Sequence, residues 1–233
     1  MIKVFIGYDP AETAAFWVLS HSIMRRSSQP VAIIPLNLRY LPLTRERHPK
    51  QSTEFSFSRF LAPALTGFSN EPCVFLDCDM LCLGDIAELV SARDNYYAPV
   101  SCVQHSHEPE AEVKMRGAVQ TKYEKKNWSS VMVFYPSHFD CRRLTVDCVN
   151  TASGLDLHQF RWVKSGAIGT LPSRWNHLVG YDQEYPISTI SLLHWTEGGP
   201  WWKEFQGVAY AEAWYAERED MLSSGYIGSH YAD

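Results

Sequence analysis

At 233 residues, the chain is long enough for one α/β domain with a sizeable core. Its composition, 45% hydrophobic and 20% charged with no low-complexity tract, is that of a globular protein. A net charge of −5 argues against nucleic acid or an anionic lipid surface as partner, because both reward clustered Lys and Arg.

Met1-Ile2-Lys3-Val4-Phe5-Ile6 carries one positive charge and an apolar run that stops at Gly7. It is too short for a leader or a membrane span and reads as a first strand. Asp9-Pro10-Ala11-Glu12 has the form of a helix start, with Asp9 as cap, Pro10 in the first turn and Glu12 closing a capping box. Ala15, Leu19 and Ile23 continue that helix along one face, and Arg25-Arg26-Ser27-Ser28 end it. Val31–Leu36 reads as the second strand. A polar, basic loop follows from Arg39 to Gln51, and Phe55–Leu65 has a helical period. The strand Cys73–Leu76 runs directly into Asp77-Cys78-Asp79, and Gly84-Asp85 reads as a turn.

Further strands are expected near Tyr97–Val103 and Val131–Tyr135, and a helix at Asp147–Thr151. Short extended pieces recur at Ile168–Leu171 and Ile190–Trp195, and a last amphipathic helix covers Val208–Met221. Gln104–Asn127 is the least regular stretch. Strands alternating with helices predict an α/β fold without linker or repeat. The six Cys form no CxxC pair, which favours buried reduced thiols and a cytoplasmic location over a zinc site or disulfides. Of the eight Trp, five lie from Trp175 onward, where they serve as core rings or as stacking faces for a sugar or base.

The carboxylate pair is the most informative feature. Residues two apart on a strand project to the same side, so Asp77 and Asp79 repel each other unless a cation joins them. Hard oxygen ligands suit Mg²⁺ or Mn²⁺ completed by water and substrate phosphates, and ligands of α/β sheets collect at carboxyl ends of strands. A solvated turn is the competing reading. His194, ending Ser191-Leu192-Leu193, is either a third ligand or a hydrogen-bonded core residue. Gly198-Gly199 would let backbone N–H groups approach a diphosphate, or simply form a turn. Gly7-Tyr8-Asp9 offers a stacking ring and an acceptor to a nucleoside, while Asp9 also suits helix capping. Arg59 reads as a phosphate ligand or a structural ion pair, and Lys203 as a neutralising or a solvent-exposed charge.

With these residues in order, the chain resembles the family 8 glycosyltransferases, the retaining group that includes glycogenin. The likeness rests on the turn at Asp9, Thr53-x5-Arg59-x3-Pro63, Leu76-Asp77-Cys78-Asp79 and the C-terminal His194…Gly199-Pro200-Trp201 element. It implies an α/β GT-A fold, with a Rossmann-like mixed sheet flanked by helices, over residues 1–233 as one domain. Residues 1–105 would form the nucleotide- and metal-binding half, and 106–233 the sugar and acceptor half with the C-terminal helix. It also implies transfer of a hexose from a UDP-sugar with Mn²⁺ (or Mg²⁺) held by Asp77, Asp79 and His194. Gly7, Tyr8, Asp9, Arg59, Asp77, Gly198, Gly199 and Lys203 would lie along the donor, and Asp156 and Gln159 would face its sugar. The acceptor is open among saccharide, lipid-linked sugar and protein, and oligomerisation is left open.

Three motifs depart from the family pattern. Gly199 stands where a Lys is usual, Trp128 stands at an Asn position, and Asp156-Leu157-His158-Gln159 replaces an Asp-Gln-Asp segment. A nucleotidyltransferase on a similar sheet and a non-catalytic nucleotide-sugar-binding protein are the alternatives. The first usually has a glycine- and basic-rich loop after its first strand, where this chain has Gly7-Tyr8-Asp9-Pro10.

Overall fold

A computed structural model describes residues 1–46, 53–106 and 125–224. Most of the stretch read as least regular, and the end of the basic loop, lie outside the described residues. Strand β1 (Ile2–Gly7) pairs in parallel with β2 (Val31–Leu36) on one side and with β3 (Cys73–Leu76) on the other. Beyond β3 the sheet turns antiparallel through β6 (Val131–Phe134) and β5 (Val100–Cys102), and β7 (Ile168–Thr170) closes it in parallel to β5. The order is therefore β2-β1-β3-β6-β5-β7, a mixed sheet. A second sheet is built from β4 (Met80–Cys82), β9 (Leu192–His194) and β8 (His177–Leu178), in the order β4-β9-β8.

Apolar runs buried on both faces, such as Val74-Phe75-Leu76 and Val131–Phe134, place the main core at the centre of the first sheet. Helix α1 (Thr13–Arg26) makes the β1-to-β2 crossover. It buries Phe16, Leu19 and Ile23 in that core, and Val18 in a smaller cluster with Leu81, Leu193, Trp195 and Trp214. The cluster is closed by α6 (Ala211–Ser224). Four short helices complete the set among the described residues: α2 (Ala62–Leu65), α3 (Ile86–Ser91), α4 (Val146–Thr151) and α5 (Gly154–His158). Among the described residues, no helix is long and apolar enough to cross a membrane.

Two local expectations need correction. Asp9 does cap, its Oδ1 accepting from the Ala11 N–H at 2.9 Å, but a 3₁₀ turn over Pro10–Glu12 precedes α1. Glu12 does not reach back to close a capping box; its carboxyl is buried and meets Cys78 instead. Gly84-Asp85 is the start of α3, with Asp85 Oδ1 accepting from the Ala87 N–H at 2.9 Å.

The Asp77-Cys78-Asp79 segment joins the two sheets. The Asp77 N–H donates to the Ser130 carbonyl at 3.0 Å, which continues the β3–β6 ladder. The Trp195 N–H donates to the Asp79 carbonyl at 3.0 Å, which continues the β4–β9 ladder. The pair is therefore held from both sides by backbone.

Candidate functional site: a carboxylate–histidine cluster at the sheet junction

Asp77 ends β3 and Asp79 precedes β4, so alternation along the junction sends both carboxylates the same way and Cys78 the opposite way. Antiparallel pairing of β4 with β9 sets Met80 opposite His194, which brings the imidazole alongside Asp79. One ligand atom from each of Asp77, Asp79 and His194 then falls within 4.8 Å of the others. The structure thus brings the three expected ligands together.

His194 is 2% exposed, and its tautomer follows from its neighbours. Asn176 donates its amide N–H groups to Ser130 Oγ at 3.0 Å and to the Asn127 carbonyl at 3.3 Å. Its Oδ1 is then the acceptor for the Nδ1–H of His194 at 2.9 Å. That leaves the lone pair on Nε2, which lies 3.2 Å from Asp79 Oδ1. Two electron-rich atoms at that distance attract only when a proton or a metal cation sits with them. An imidazole whose second nitrogen is held by an amide oxygen is the usual outer arrangement of a metal-binding His. The donor set of two carboxylates and one imidazole fits Mn²⁺, and Mg²⁺ less well because of the nitrogen.

Arg59 is the third cornerstone. It is 6% exposed, pairs bidentately with Asp77 (Nη2–Oδ1 3.0 Å, Nη1–Oδ2 3.4 Å) and donates from Nη1 to the Ser129 carbonyl at 2.9 Å. The ion pair read for Arg59 is present. The guanidinium offsets one of the two carboxylates, so the cluster keeps a net negative charge that favours a divalent cation. Ser129 Oγ also bonds His158 Nδ1 at 2.8 Å, which links α5 to the cluster.

Glu12 was not foreseen as part of this site. Burial pushes its carboxyl up to about 8, and the nearby charges of Asp79 and Asp9 add to the shift; the hydrogen bond from Cys78 acts against it. Burial, followed by the charges of Glu12, Asp79 and Asp77, also drives the Cys78 thiol far upward, so it stays protonated. None of the six cysteines is in a disulfide, and five are buried, as reduced structural thiols would be.

The remaining expected site residues have these surroundings. A Cβ on Gly7 would overlap the Phe55 ring, so this turn admits only glycine. Tyr8 is half-buried, edge-on to Phe16 at 5.4 Å, with its hydroxyl 3.2 Å from Thr13 Oγ1. Asp9 uses its second oxygen to accept from the Glu54 N–H at 3.2 Å, joining the β1 turn to the Arg59 segment. Gly198, at φ +140°, lies against Phe205, and Gly199 lies against Trp201. Lys203 is exposed in a 3₁₀ turn. Asp156 is half-buried, bonded to Ser153 Oγ at 2.6 Å and to Arg161 at 2.9 Å, and Gln159 Oε1 accepts from Arg161 at 2.9 Å. In α5 it is His158, between them, whose side chain bonds toward the cluster. Trp128 sends its indole N–H to the His105 carbonyl at 2.9 Å, and that motif meets the site through Ser129, Ser130 and the Asn127 carbonyl.

A second cluster, His21, Glu217 and Asp220, also has metal-like spacing. Its carboxylates are already held by Arg26 (2.6 Å) and Arg25 (2.5 Å), so it is an ion-pair network between α1 and α6.

No protein-family model matches the chain. It is 42% identical over 225 residues to Protein CDI of Arabidopsis thaliana, covering 94% of this chain and 86% of that protein. Solved structures with the same fold are glycosyltransferases at low identity. The bifunctional glycosyltransferase WbbM is 14% identical with a TM-score of 0.65, over 95% of this chain and 51% of WbbM. GlyE of Streptococcus pneumoniae is 15% identical with a TM-score of 0.61, over 96% and 62%. The galactosyltransferase LgtC, solved with donor and acceptor sugar analogs, is 12% identical with a TM-score of 0.59, over 94% and 96%. The chain thus spans about half of WbbM, under two thirds of GlyE and nearly all of LgtC. It has the GT-A glycosyltransferase fold, and it belongs to the family of Protein CDI.

Proposed function

We propose that the protein is a metal-dependent glycosyltransferase that moves a hexose from a UDP-sugar to an acceptor, with retention of configuration. The observation that carries this reading is the convergence of Asp77, Asp79 and the tautomer-locked His194 at the junction of the two sheets. These three side chains would hold Mn²⁺, which supplies Lewis-acid stabilisation of the leaving diphosphate.

The chain's own residues set up the rest. Arg59 holds Asp77 in place and tempers its charge. Asn176 accepts from Nδ1–H of His194 and so turns Nε2 toward the carboxylates. The Gly7–Asp9 turn takes the nucleoside, with Tyr8 offering a ring face and Asp9 an acceptor. The N–H of Gly199, together with Lys203, is placed in this reading on the diphosphate, while the Gly198 N–H is already given to the Trp195 carbonyl at 3.2 Å. Asp156 and Gln159 face the sugar, and the bond from His158 to Ser129 supports the approach of that helix to the cluster. The acceptor class stays open among saccharide, lipid-linked sugar and protein.

The test is a thermal-unfolding series with Mn²⁺, UDP and both together. Each ligand is expected to strengthen the effect of the other, and Asp79→Ala to abolish that interdependence. Independent or absent shifts would count against the reading. Slow release of UDP from one member of a UDP-sugar panel separates a transferase from a protein that only binds the nucleotide sugar.

A further inference from the structure

A cavity of about 450 Å³ adjoins the proposed donor site and takes no part in the chemistry assigned to it. Its walls include Arg174, His177, Asp182, Gln183, Tyr185 and Thr189. Strands β5 and β7 run in the same direction as β3, because β6 is antiparallel to both β3 and β5. The cavity is built where those two strands end, with His105 three residues beyond β5 and Ser173 three beyond β7. That is the sheet edge where β3 runs into Asp77, and α/β sheets collect ligands at such ends. Two hydrogen bonds join this wall to the donor site. Asn176, next to His177, accepts from His194, and the Tyr181 hydroxyl donates to the carboxylate of Glu197, one residue before Gly198.

The wall is set before any ligand arrives. Tyr185 is 51% exposed, yet its backbone is fixed: the Tyr210 hydroxyl accepts from its N–H and donates to its carbonyl, both at 2.9 Å. Tyr210 does so from the left-handed backbone region, at φ +60°, which is unfavourable for an aromatic residue. His177, 4% exposed, lies edge-on to both rings, 6.1 Å from Tyr185 and 5.5 Å from Tyr210. A strained residue and a buried imidazole thus hold a tyrosine ring out in solvent, and strain of this kind gathers at ligand sites.

The chemistry of the wall selects among acceptor classes. A lipid-linked sugar brings a phosphate or diphosphate, which calls for cations. The guanidinium of Arg174 is instead paired with Glu88 at 3.4 Å and shares the wall with Asp182. Burial lowers the His177 imidazole, so it adds no charge at neutral pH. The volume suits a small ligand more than a polypeptide segment. A ring face surrounded by a carboxylate, an amide and a hydroxyl matches a neutral sugar, which has apolar C–H faces and a rim of hydroxyls.

We propose that this cavity is the acceptor subsite and takes a neutral saccharide, with Tyr185 as the stacking platform and Asp182, Gln183 and Thr189 as partners of the sugar hydroxyls. This rests on the glycosyltransferase reading of the neighbouring site. One hydroxyl oxygen of the saccharide forms the new bond to the anomeric carbon of the donor, the bond from that carbon to the diphosphate breaks, and UDP and a proton are released.

The experiment compares wild type, Tyr185→Phe, which keeps the ring face, and Tyr185→Ala, which removes it. The probes are methyl glycosides and disaccharides of glucose, galactose, mannose and xylose. Two quantities are read: saturable binding of each saccharide by ligand-observed NMR, with and without UDP, and acceleration of UDP release from a UDP-sugar. At least one saccharide is expected to bind saturably and to accelerate UDP release. Its half-saturating concentration should rise about tenfold in Tyr185→Ala and stay near wild type in Tyr185→Phe, while Mn²⁺ and UDP together still raise the melting temperature of both variants. Equal saccharide affinity in wild type and Tyr185→Ala would overturn the proposal. So would a protein that releases UDP from a UDP-sugar yet binds none of the saccharides, or one accelerated only by a polyprenyl-diphosphate sugar or a peptide. If Tyr185→Ala does not fold, Gln183→Ala, at an exposed position, decides the question by weakening the same binding about threefold or more, or by failing to. A protein that binds neither Mn²⁺ nor UDP would sink the donor reading instead, and the dependence of saccharide binding on Tyr185 would still decide whether the cavity is a saccharide site.

Discussion

Asn176 is the side chain on which His194 depends. Its amide satisfies Ser130 and the Asn127 carbonyl, and its oxygen dictates which imidazole nitrogen is available. Asn176→Leu should therefore lower Mn²⁺ affinity by about 10–100-fold while His194 itself is retained, read by titration of Mn²⁺ followed by its electron paramagnetic resonance signal. An unchanged affinity would show that the ring orientation does not need the amide. A second residue-scale prediction concerns the glycine pair. A Cβ at Gly199 would collide with the Trp201 ring, so Gly199→Ala should cost about 1–3 kcal/mol in urea unfolding. Gly207→Ala, where a Cβ meets nothing within 4 Å, is the matched control and should cost far less. At this scale Asp77 and Asp79 were legible because period-2 alternation is a local rule. Asn176, Ser129, His158 and Glu12 were not. Each is joined to the site by hydrogen bonds between residues distant in sequence, and Glu12 carried a false local signal as a capping residue.

The helical period over Phe55–Leu65 resolves into two 3₁₀ turns, Glu54–Ser56 and Ser58–Leu61, followed by α2. Pro63 has no N–H to give to the preceding turn, and the Gly7–Phe55 and Arg59–Asp77 contacts set the path of the segment. Strands β4 and β8, three and two residues long, carry too few positions for any period to show. The long helices were legible, yet how α1 meets α6 was not. The polar centre of that contact is Glu217, buried on α6 and bonded to His21 at 2.7 Å and Arg26 at 2.6 Å. Burial alone would raise its carboxyl, but the hydrogen bonds and charges of Arg26 and His21 outweigh it and hold it below the ordinary 4.5. A carboxylate lowered by folding contributes stability that is present above its unfolded value and lost as pH falls through the lowered one. Stability should thus decline on the acid side below about pH 4.5, and Glu217→Gln should blunt that decline. At neutral pH the same variant should cost about 1–3 kcal/mol, because Arg26 and His21 lose the charge and one of the two acceptor oxygens of a buried carboxylate. Chemical denaturation across pH 3–7 (roughly the window set by ordinary carboxylates) reads both effects.

Across the whole molecule, the decisive feature is that two sheets share one chain junction, and the carboxylate pair is that junction. A ligand that bridges Asp77, Asp79 and His194 ties β3, β4 and β9 together in the folded state alone. Saturation at about 100 times the dissociation constant should then stabilise the fold by about 2.7 kcal/mol. For a chain of this size that is a rise in melting temperature of roughly 5–10 °C. The rise should appear with Mn²⁺ and UDP together, vanish on chelation, and be absent in Asp79→Ala. A rise that persists in chelator would mean the nucleotide is held without metal.

By itself the sequence determined the alternation of strands and helices, the central apolar strands, and an acidic pair at a strand end in order with Arg59 and His194. Those features follow from side-chain period and chain order, which are local. Tertiary structure alone decided that β4 and β9 pair in the register that sets His194 beside Asp79, that Asn176 selects its tautomer, that Arg59 spends its charge on Asp77, and that Glu12 turns inward. Register between distant strands and the partners of buried polar groups depend on which surfaces meet when the core closes, and no local pattern records that.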